Sequence, residues 1–386
     1  MPNLDRPSST LDAVARALAR IENEVRLVGR AAPPDVGLEI ARLVREFTRA
    51  TRITLRGVQG APALLGETRR SLARLSAISE ELGPFGALHA ARARELELEA
   101  RLAEALGTPG VRALAAERFP APPAARAREC DGFVSDALSV TVTPSPELHR
   151  SDDHGNPKSL VARLGARARE LGLSLRIDVR KDQVAVAATG HGLVCVRPGV
   201  LLSAHASERV ATHELLAHAL PRARSSHAPW ALFGVGTRGA GEDEEGRALL
   251  IEERSGLLDA ERRRSLALRH VSALGVRAGA EPTDTLRELV TLGAPLEQAA
   301  ELTLRAHRGG GLGRELVYLP AYFAVRSALA AEPGLERWLE RGRLDLETAR
   351  RLASGELEWQ PPAPPLLGEL DDHGRVIGGL GQPPGL

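Results

Sequence analysis

The heptapeptide THELLAH, residues 212–218, sets a glutamate beside the first of two histidines that stand five positions apart. That spacing limits what the segment can become. Each residue of an α-helix turns the chain by about 100°, so histidines four apart project within about 40° of each other. Histidines five apart diverge by about 140° and cannot converge on one ion. Widening the helix by one residue, as a π-bulge does, restores convergence, and such bulges are frequent at functional sites. The segment therefore predicts one of two things. Either His213 and His218 are unrelated histidines on a surface helix, or the helix widens between them and both rings face one side.

The neighbours favour the second alternative. Val210, Leu215, Leu216, Ala217 and Ala219 make the helix apolar and therefore buried. A buried His-Glu-His trio needs partners for its polar atoms. Zinc is bound by histidine and carboxylate ligands, three of them plus water in a catalytic site. The metal acidifies that water, and a nearby glutamate takes the proton. Glu214 sits where the general base stands in H-E-x-x-H zinc helices.

A third ligand must come from elsewhere. Residues 241–253, GEDEEGRALLIEE, read as a helix with an acidic first turn. The helix dipole favours acidic residues there in any protein. Glu242, Asp243, Glu244 and Glu245 are all candidates, and spacing alone does not choose among them. Glu252 and Glu253 follow about two turns after Glu245, and either can accept a hydrogen bond that orients a ligating histidine. Glu253 is better read as part of a solvated face. His205 and His227 lie close by in sequence and read as exposed loop histidines.

Composition narrows the remaining classes. The chain has 386 residues and a formal charge of +1, so no global field draws it to nucleic acid or an anionic membrane. Aromatic residues are 3% of the chain, too few for base-stacking platforms. The only lysines are Lys158 and Lys181; the many arginines read as codon bias, and each taken singly reads as a solvated surface charge. Cys130 and Cys195 form no disulfide framework and suit a reducing compartment. The N-terminal MPNLDRPSST lacks the pattern of a secretory signal. No run of about 18 apolar residues exists to span a membrane. The expectation is a soluble, bacterial-type protein of the cytoplasm.

Periodicity predicts an all-helical first part. Thr10 caps a helix with Leu11, Val14, Leu18, Ile21 and Val25 on one face. Further helices begin at Asp35, cover 68–82, and run from Phe85 to Gly107. FPAPPAARAREC (119–130) reads as a connection. A helix closed by Gly172 then leads into strand-like runs at 174–180, 184–189 and 192–198, with Leu175, Ile177 and Val179 facing inward. The histidine helix is predicted from Ser207 to a stop at Pro221. Beyond about 260 the pattern is helical again, and 355–386 is a Pro/Gly-rich tail. The fold class is α+β, mostly helical.

RVATHELLAHAL, followed after a loop with HAPW by EEGRALLIEE, resembles the tyrosine carboxypeptidase family. That family comprises the microtubule-associated tyrosine carboxypeptidases and the bacterial flavohaemoglobin expression-modulating QEGLA-motif proteins. Its H-E-x-x-x-H helix and Q-E-G-L-A segment together hold zinc. The resemblance puts the third ligand on Glu245, with Glu244 where the family has Gln and Arg247 where it has Leu. RAHRGGGLGRELVYLPAYFAV (305–325) is similar to a further family block through Arg305, Arg308, Gly309, Gly310, Tyr318 and Leu319. His307 replaces an aromatic, and Arg314-Glu315 replaces Lys-Asp. The GGGLG within it lacks the setting of a phosphate loop.

The resemblance covers roughly residues 10–355 and implies a zincin-like metallopeptidase core holding zinc through His213, His218 and Glu245. It implies Glu214 as the base, and a peptide or protein C-terminus as substrate; composition adds the expectation of no nucleic acid or membrane partner. The organisation expected is a disordered start (1–9), a helical N-terminal region (10–128), a catalytic domain (129–355) and a tail (356–386). A carboxypeptidase must grip a terminal carboxylate, for which Arg305, Arg308 and Arg314 are candidates by the arginine fork. It must also stabilise an oxyanion, for which Tyr318 and Tyr322 are candidates. HELLAH is also similar to the dipeptidyl-peptidase III motif HELLGH, whose chains are far longer. A regulatory protein with a structural zinc site is the reading outside enzyme chemistry.

Overall fold

The computed structural model describes residues 9–49, 52–56, 65–143, 145, 147–226, 228, 230–358, 369–370 and 376–377. Almost all of the expected disordered start, most of the expected tail, and His227 lie outside these residues. The described chain is mostly helical with small sheets. No helix among the described residues is long and apolar enough to cross a membrane. Two compact units can be distinguished.

The first unit draws its described residues from Met1–Pro144, Lys181–Val184 and Ala260–Ala324. Its first helix, Ser9–Val25, buries Leu11, Val14, Leu18, Ile21 and Val25, the face its periodicity predicts. Asp35 caps the helix Val36–Phe47 by accepting from the Leu38 N–H at 3.0 Å, as an N-cap aspartate does. Gly66–Glu80 packs along Gly83–Ala105. The stretch 119–130 is not simply a connection. Pro123 begins a helix, Ala124–Ser139, because proline's fixed φ suits a helix start and its missing N–H is not needed there. A core of Val36, Leu43, Leu286, Leu289, Leu302 and Leu304 binds Val36–Phe47 to Pro282–Thr291 and Leu296–Gly311.

Glycines shape the end of Leu296–Gly311. The backbone leaves helical angles at Arg308, and Gly309 takes φ 69°. A Cβ at Gly309 would stand 2.6 Å from Leu106 and 3.1 Å from Ala31, and its carbonyl accepts from the Gly107 N–H at 3.0 Å. Close approach and positive φ both require glycine here. GGGLG is a packing device.

The second unit draws its described residues from Ser145–Arg180, Ala185–Asp259 and Val325–Leu386. Its sheet has the order Arg176–Val179, Leu193–Val196, Ala187–Gly190; the first pair is parallel and the second antiparallel. Leu175 and Ile177 pack toward the core, but Val179 is exposed, correcting the expected inward face. Val194 and Val196 on the central strand meet Leu160 and Leu164 of helix Leu160–Glu170, together with Leu215 and Leu216. The sheet thus rests against the very turn that carries the histidines.

That turn belongs to a helical run over 204–225. Ser203 caps it by accepting from the Ala206 N–H at 3.0 Å, so it starts earlier than predicted. Ala204–Thr212 is α-helical, His213–Ala219 is a π-helix, and Leu220–Ser225 is α-helical again. Pro221 does not stop it. A proline ring clashes with the carbonyl four residues back in a tight helix, and the wide turn before Pro221 relaxes that clash.

Candidate metal centre

The predicted widening is present. The Leu220 N–H bonds to the Leu215 carbonyl, five residues back instead of four. The extra residue swings His218 around to the side of His213, and the two ring centroids lie 5.1 Å apart. Helix Ala240–Arg254 packs along this turn and brings Glu245 to both rings. His213 Nε2 is 3.4 Å, and His218 Nε2 3.9 Å, from Glu245 Oε2. Among the described residues, His213, His218 and Glu245 form a buried group whose donor atoms all lie within 4.8 Å of one another.

Each histidine is backed by a second carboxylate from the same helix. Glu252, seven residues after Glu245 and so on the same face, is fully buried and accepts from His213 Nδ1–H at 2.7 Å. That bond assigns the proton to Nδ1 and turns Nε2 toward Glu245. Glu253 instead pairs with Arg326 at 3.7 Å. Behind His218, Glu244 Oε2 lies 3.8 Å from Nδ1. Arg343 Nε grips Glu244 at 3.2 Å to both carboxylate oxygens, and Arg222 stands at 3.9 Å. Glu244 occupies the position where the resembling family has glutamine; the charge it brings is met by these arginines.

The electrostatics follow. Burial pushes the Glu244 carboxyl up, but Arg343, His218 and Arg222 outweigh it and hold the group at about 2. Burial alone would lower the His213 pKa; Glu245, Glu252 and Glu214 reverse this and raise it to about 9. The His213 ring therefore sits where positive charge is favoured.

Glu214, next to His213, is also buried. Its carboxylate Oε2 accepts from the Thr189 hydroxyl at 2.8 Å. His205 pairs with Asp259 at 3.1 Å and is no member of the group. Thr189, Arg222 and Arg343 were not indicated by the sequence: they come from other elements, at no motif spacing.

Residues 305–324 of this block, which include every candidate named in it, lie in the first unit. Arg305 and Arg308 are buried, which corrects their reading as solvated charges. They share Glu315, at 3.1 Å and 3.4 Å. Burial pushes the Glu315 carboxyl up, but Arg305, Arg308, Arg269 and Arg314 hold it at about 2. Burial lowers Arg308 to about 10 in spite of Glu315. Arg314 Nη1 approaches the Tyr318 hydroxyl at 3.5 Å. Tyr322 is buried against Phe133 and Phe323.

Two imidazole nitrogens and one carboxylate oxygen, with a glutamate beside them, define a helical protein carrying a candidate metal site of the H-E-x-x-x-H kind. A family model described as microtubule-associated tyrosine carboxypeptidase matches residues 58–359. That is well over half of the chain, and the chain belongs to this family, one of carboxypeptidase hydrolases. No curated protein and no solved structure matches it.

Proposed function

We propose that the chain is a zinc-dependent carboxypeptidase that removes a residue from the C-terminus of a peptide or protein. The observation that carries this is the convergence of His213, His218 and Glu245, with Glu214 adjoining, in a chain of this family. Two histidines and a glutamate are a ligand set known from catalytic zinc sites, which keep a further position open. Glu252 prepares His213 for that role by holding its other nitrogen. When bound, zinc supplies a Lewis acid that acidifies water and polarises a carbonyl.

Glu214 then takes the proton of the attacking water and delivers it to the departing amine. Its neighbours keep water's access to one oxygen by occupying the other: Thr189 holds Oε2. The terminal carboxylate is assigned to Arg305, Arg308 and Arg314, and the oxyanion to Tyr318 and Tyr322, by the chemistry of those side chains. Arg305 and Arg308 already share Glu315, and Tyr322 packs among aromatic rings. The tyrosine preference and microtubule association in the family name are the first substrate properties to test.

The test is digestion of a peptide library, varied at the C-terminus, by zinc-loaded wild type and Glu214→Gln in parallel. Release of single C-terminal residues by wild type only is expected. No release by wild type, or equal release by Glu214→Gln, would sink the proposal. Release of N-terminal dipeptides would replace it with the dipeptidyl-peptidase reading.

A further inference from the structure

We infer that Thr189 is a positioning residue for Glu214: its hydroxyl holds the general base in the orientation that proton transfer needs. The inference rests on the functional reading above and deepens it.

Thr189 lies on Ala187–Gly190, an edge strand of the three-stranded sheet, which packs against the π turn. Its hydroxyl approaches two oxygens, both of Glu214: the carboxylate Oε2 at 2.8 Å and the main-chain oxygen at 3.2 Å. A hydroxyl has one proton to donate. The shorter contact and the charged acceptor both direct it to Oε2, where the bond is charge-assisted and stronger. The main-chain contact keeps the two residues aligned when the proton turns. A second tie reinforces the first. The Arg222 guanidinium, three residues after the π turn ends at Ala219, donates to the Thr189 carbonyl at 3.3 Å. Strand and widened helix are thus joined at one residue, from both its side chain and its main chain.

The arrangement matters because a glutamate side chain has several rotatable bonds, and a base serves only from one of its orientations. Threonine suits the task. Branching at Cβ leaves it few χ1 rotamers, and the strand fixes its backbone. One Glu214 oxygen is held by Thr189, which reserves the other for water. Catalysis depends on this bond, whereas the zinc ligands do not touch Thr189 in any contact described above.

Thr189→Val keeps the shape and the strand preference and removes the hydroxyl; Thr189→Ser keeps the hydroxyl. Loss of a hydrogen bond to a charged group predicts a fall in kcat of about ten- to a hundredfold for Thr189→Val, with KM within about twofold of wild type. Thr189→Ser should stay within about threefold of wild-type kcat. Bound zinc per chain, measured by atomic absorption, and the melting temperature should match wild type in both variants. Thr189→Ala carries the same prediction as Thr189→Val should the latter not fold. Unchanged kcat in the hydroxyl-free variants overturns the inference. So does an equal fall in Thr189→Ser, or a loss of zinc that accounts for the fall. Wild type that releases no residue refutes the functional reading itself, and the inference with it. An active wild type with an equally active Thr189→Val refutes the inference alone.

Discussion

Removing Glu252 should weaken metal binding without disturbing any atom that touches the metal. Its Oε1 lies 2.7 Å from His213 Nδ1, and the residue is fully buried. In Glu252→Ala the Nδ1–H is left buried without that acceptor. A buried donor deprived of its partner costs about 1–3 kcal/mol. At about 1.4 kcal/mol per tenfold, this predicts zinc binding about five- to a hundredfold weaker, the range seen when such outer partners of metal ligands are lost. Arg209, 3.9 Å from Glu252, cannot substitute, because it is itself a donor. Glu252→Gln should fall in between: the amide oxygen still accepts from Nδ1–H but no longer adds a negative charge. The assay is competition for zinc between apoprotein and a chromophoric chelator. The metal-free stability of each variant is measured separately by urea unfolding, so that a folding defect is not read as lost affinity. Equal zinc affinity in wild type and Glu252→Ala, or weaker binding in Glu252→Gln than in Glu252→Ala, would refute the reasoning.

Three further outcomes follow from buried ionisable groups. Arg343→Met should destabilise the protein by about 3–5 kcal/mol, because it strips Glu244 of the guanidinium at 3.2 Å; adding Glu244→Gln should recover part of the loss in a urea double-mutant cycle. Glu315→Gln should cost a similar amount, about 3–5 kcal/mol by urea unfolding, since Arg305 and Arg308 would remain buried without their shared carboxylate. His307 gives a pH dependence. Burial, helped by Arg112, holds its imidazole at about 4 against an ordinary 6.5, so the unfolded chain binds more protons between these values. Its contribution is full above about pH 6.5 and is lost as pH falls toward 4, to a total of about 3 kcal/mol. His307→Phe should remove that part of the slope in stability measured from pH 7 to 4, at a fixed cost from the Thr285 hydroxyl, which lies 2.8 Å from Nε2 in the wild type.

The candidate metal group was legible in the sequence because its geometry is local. The spacing of His213 and His218 encodes an angle, and only a widened turn makes that angle useful; the Leu220-to-Leu215 hydrogen bond is the answer to it. Glu245 needed the resemblance, since four acidic residues compete at that helix start. Glu252 was visible as one of two candidates, and burial separates it from Glu253. Thr189, Arg222 and Arg343 were illegible. They reach the site through tertiary packing, which leaves no periodic trace. Pro221 and Pro123 show the opposite failure. Read locally, each breaks a helix; in the fold, one follows a wide turn and the other begins a helix. Arg305 and Arg308 were singled out in the sequence as candidates for a carboxylate ligand; that they are buried and share Glu315 depends on packing that no spacing encodes.

Metal-dependent activity requires His213, His218 and Glu245 to share one metal ion. Zinc per chain, measured by atomic absorption after dialysis against metal-free buffer, tests this most directly. The prediction is one zinc per wild-type chain and a large loss in both His213→Ala and Glu245→Ala, with folded protein in each case by circular dichroism. Wild type without stoichiometric metal, or variants that hold as much zinc as wild type, would contradict it.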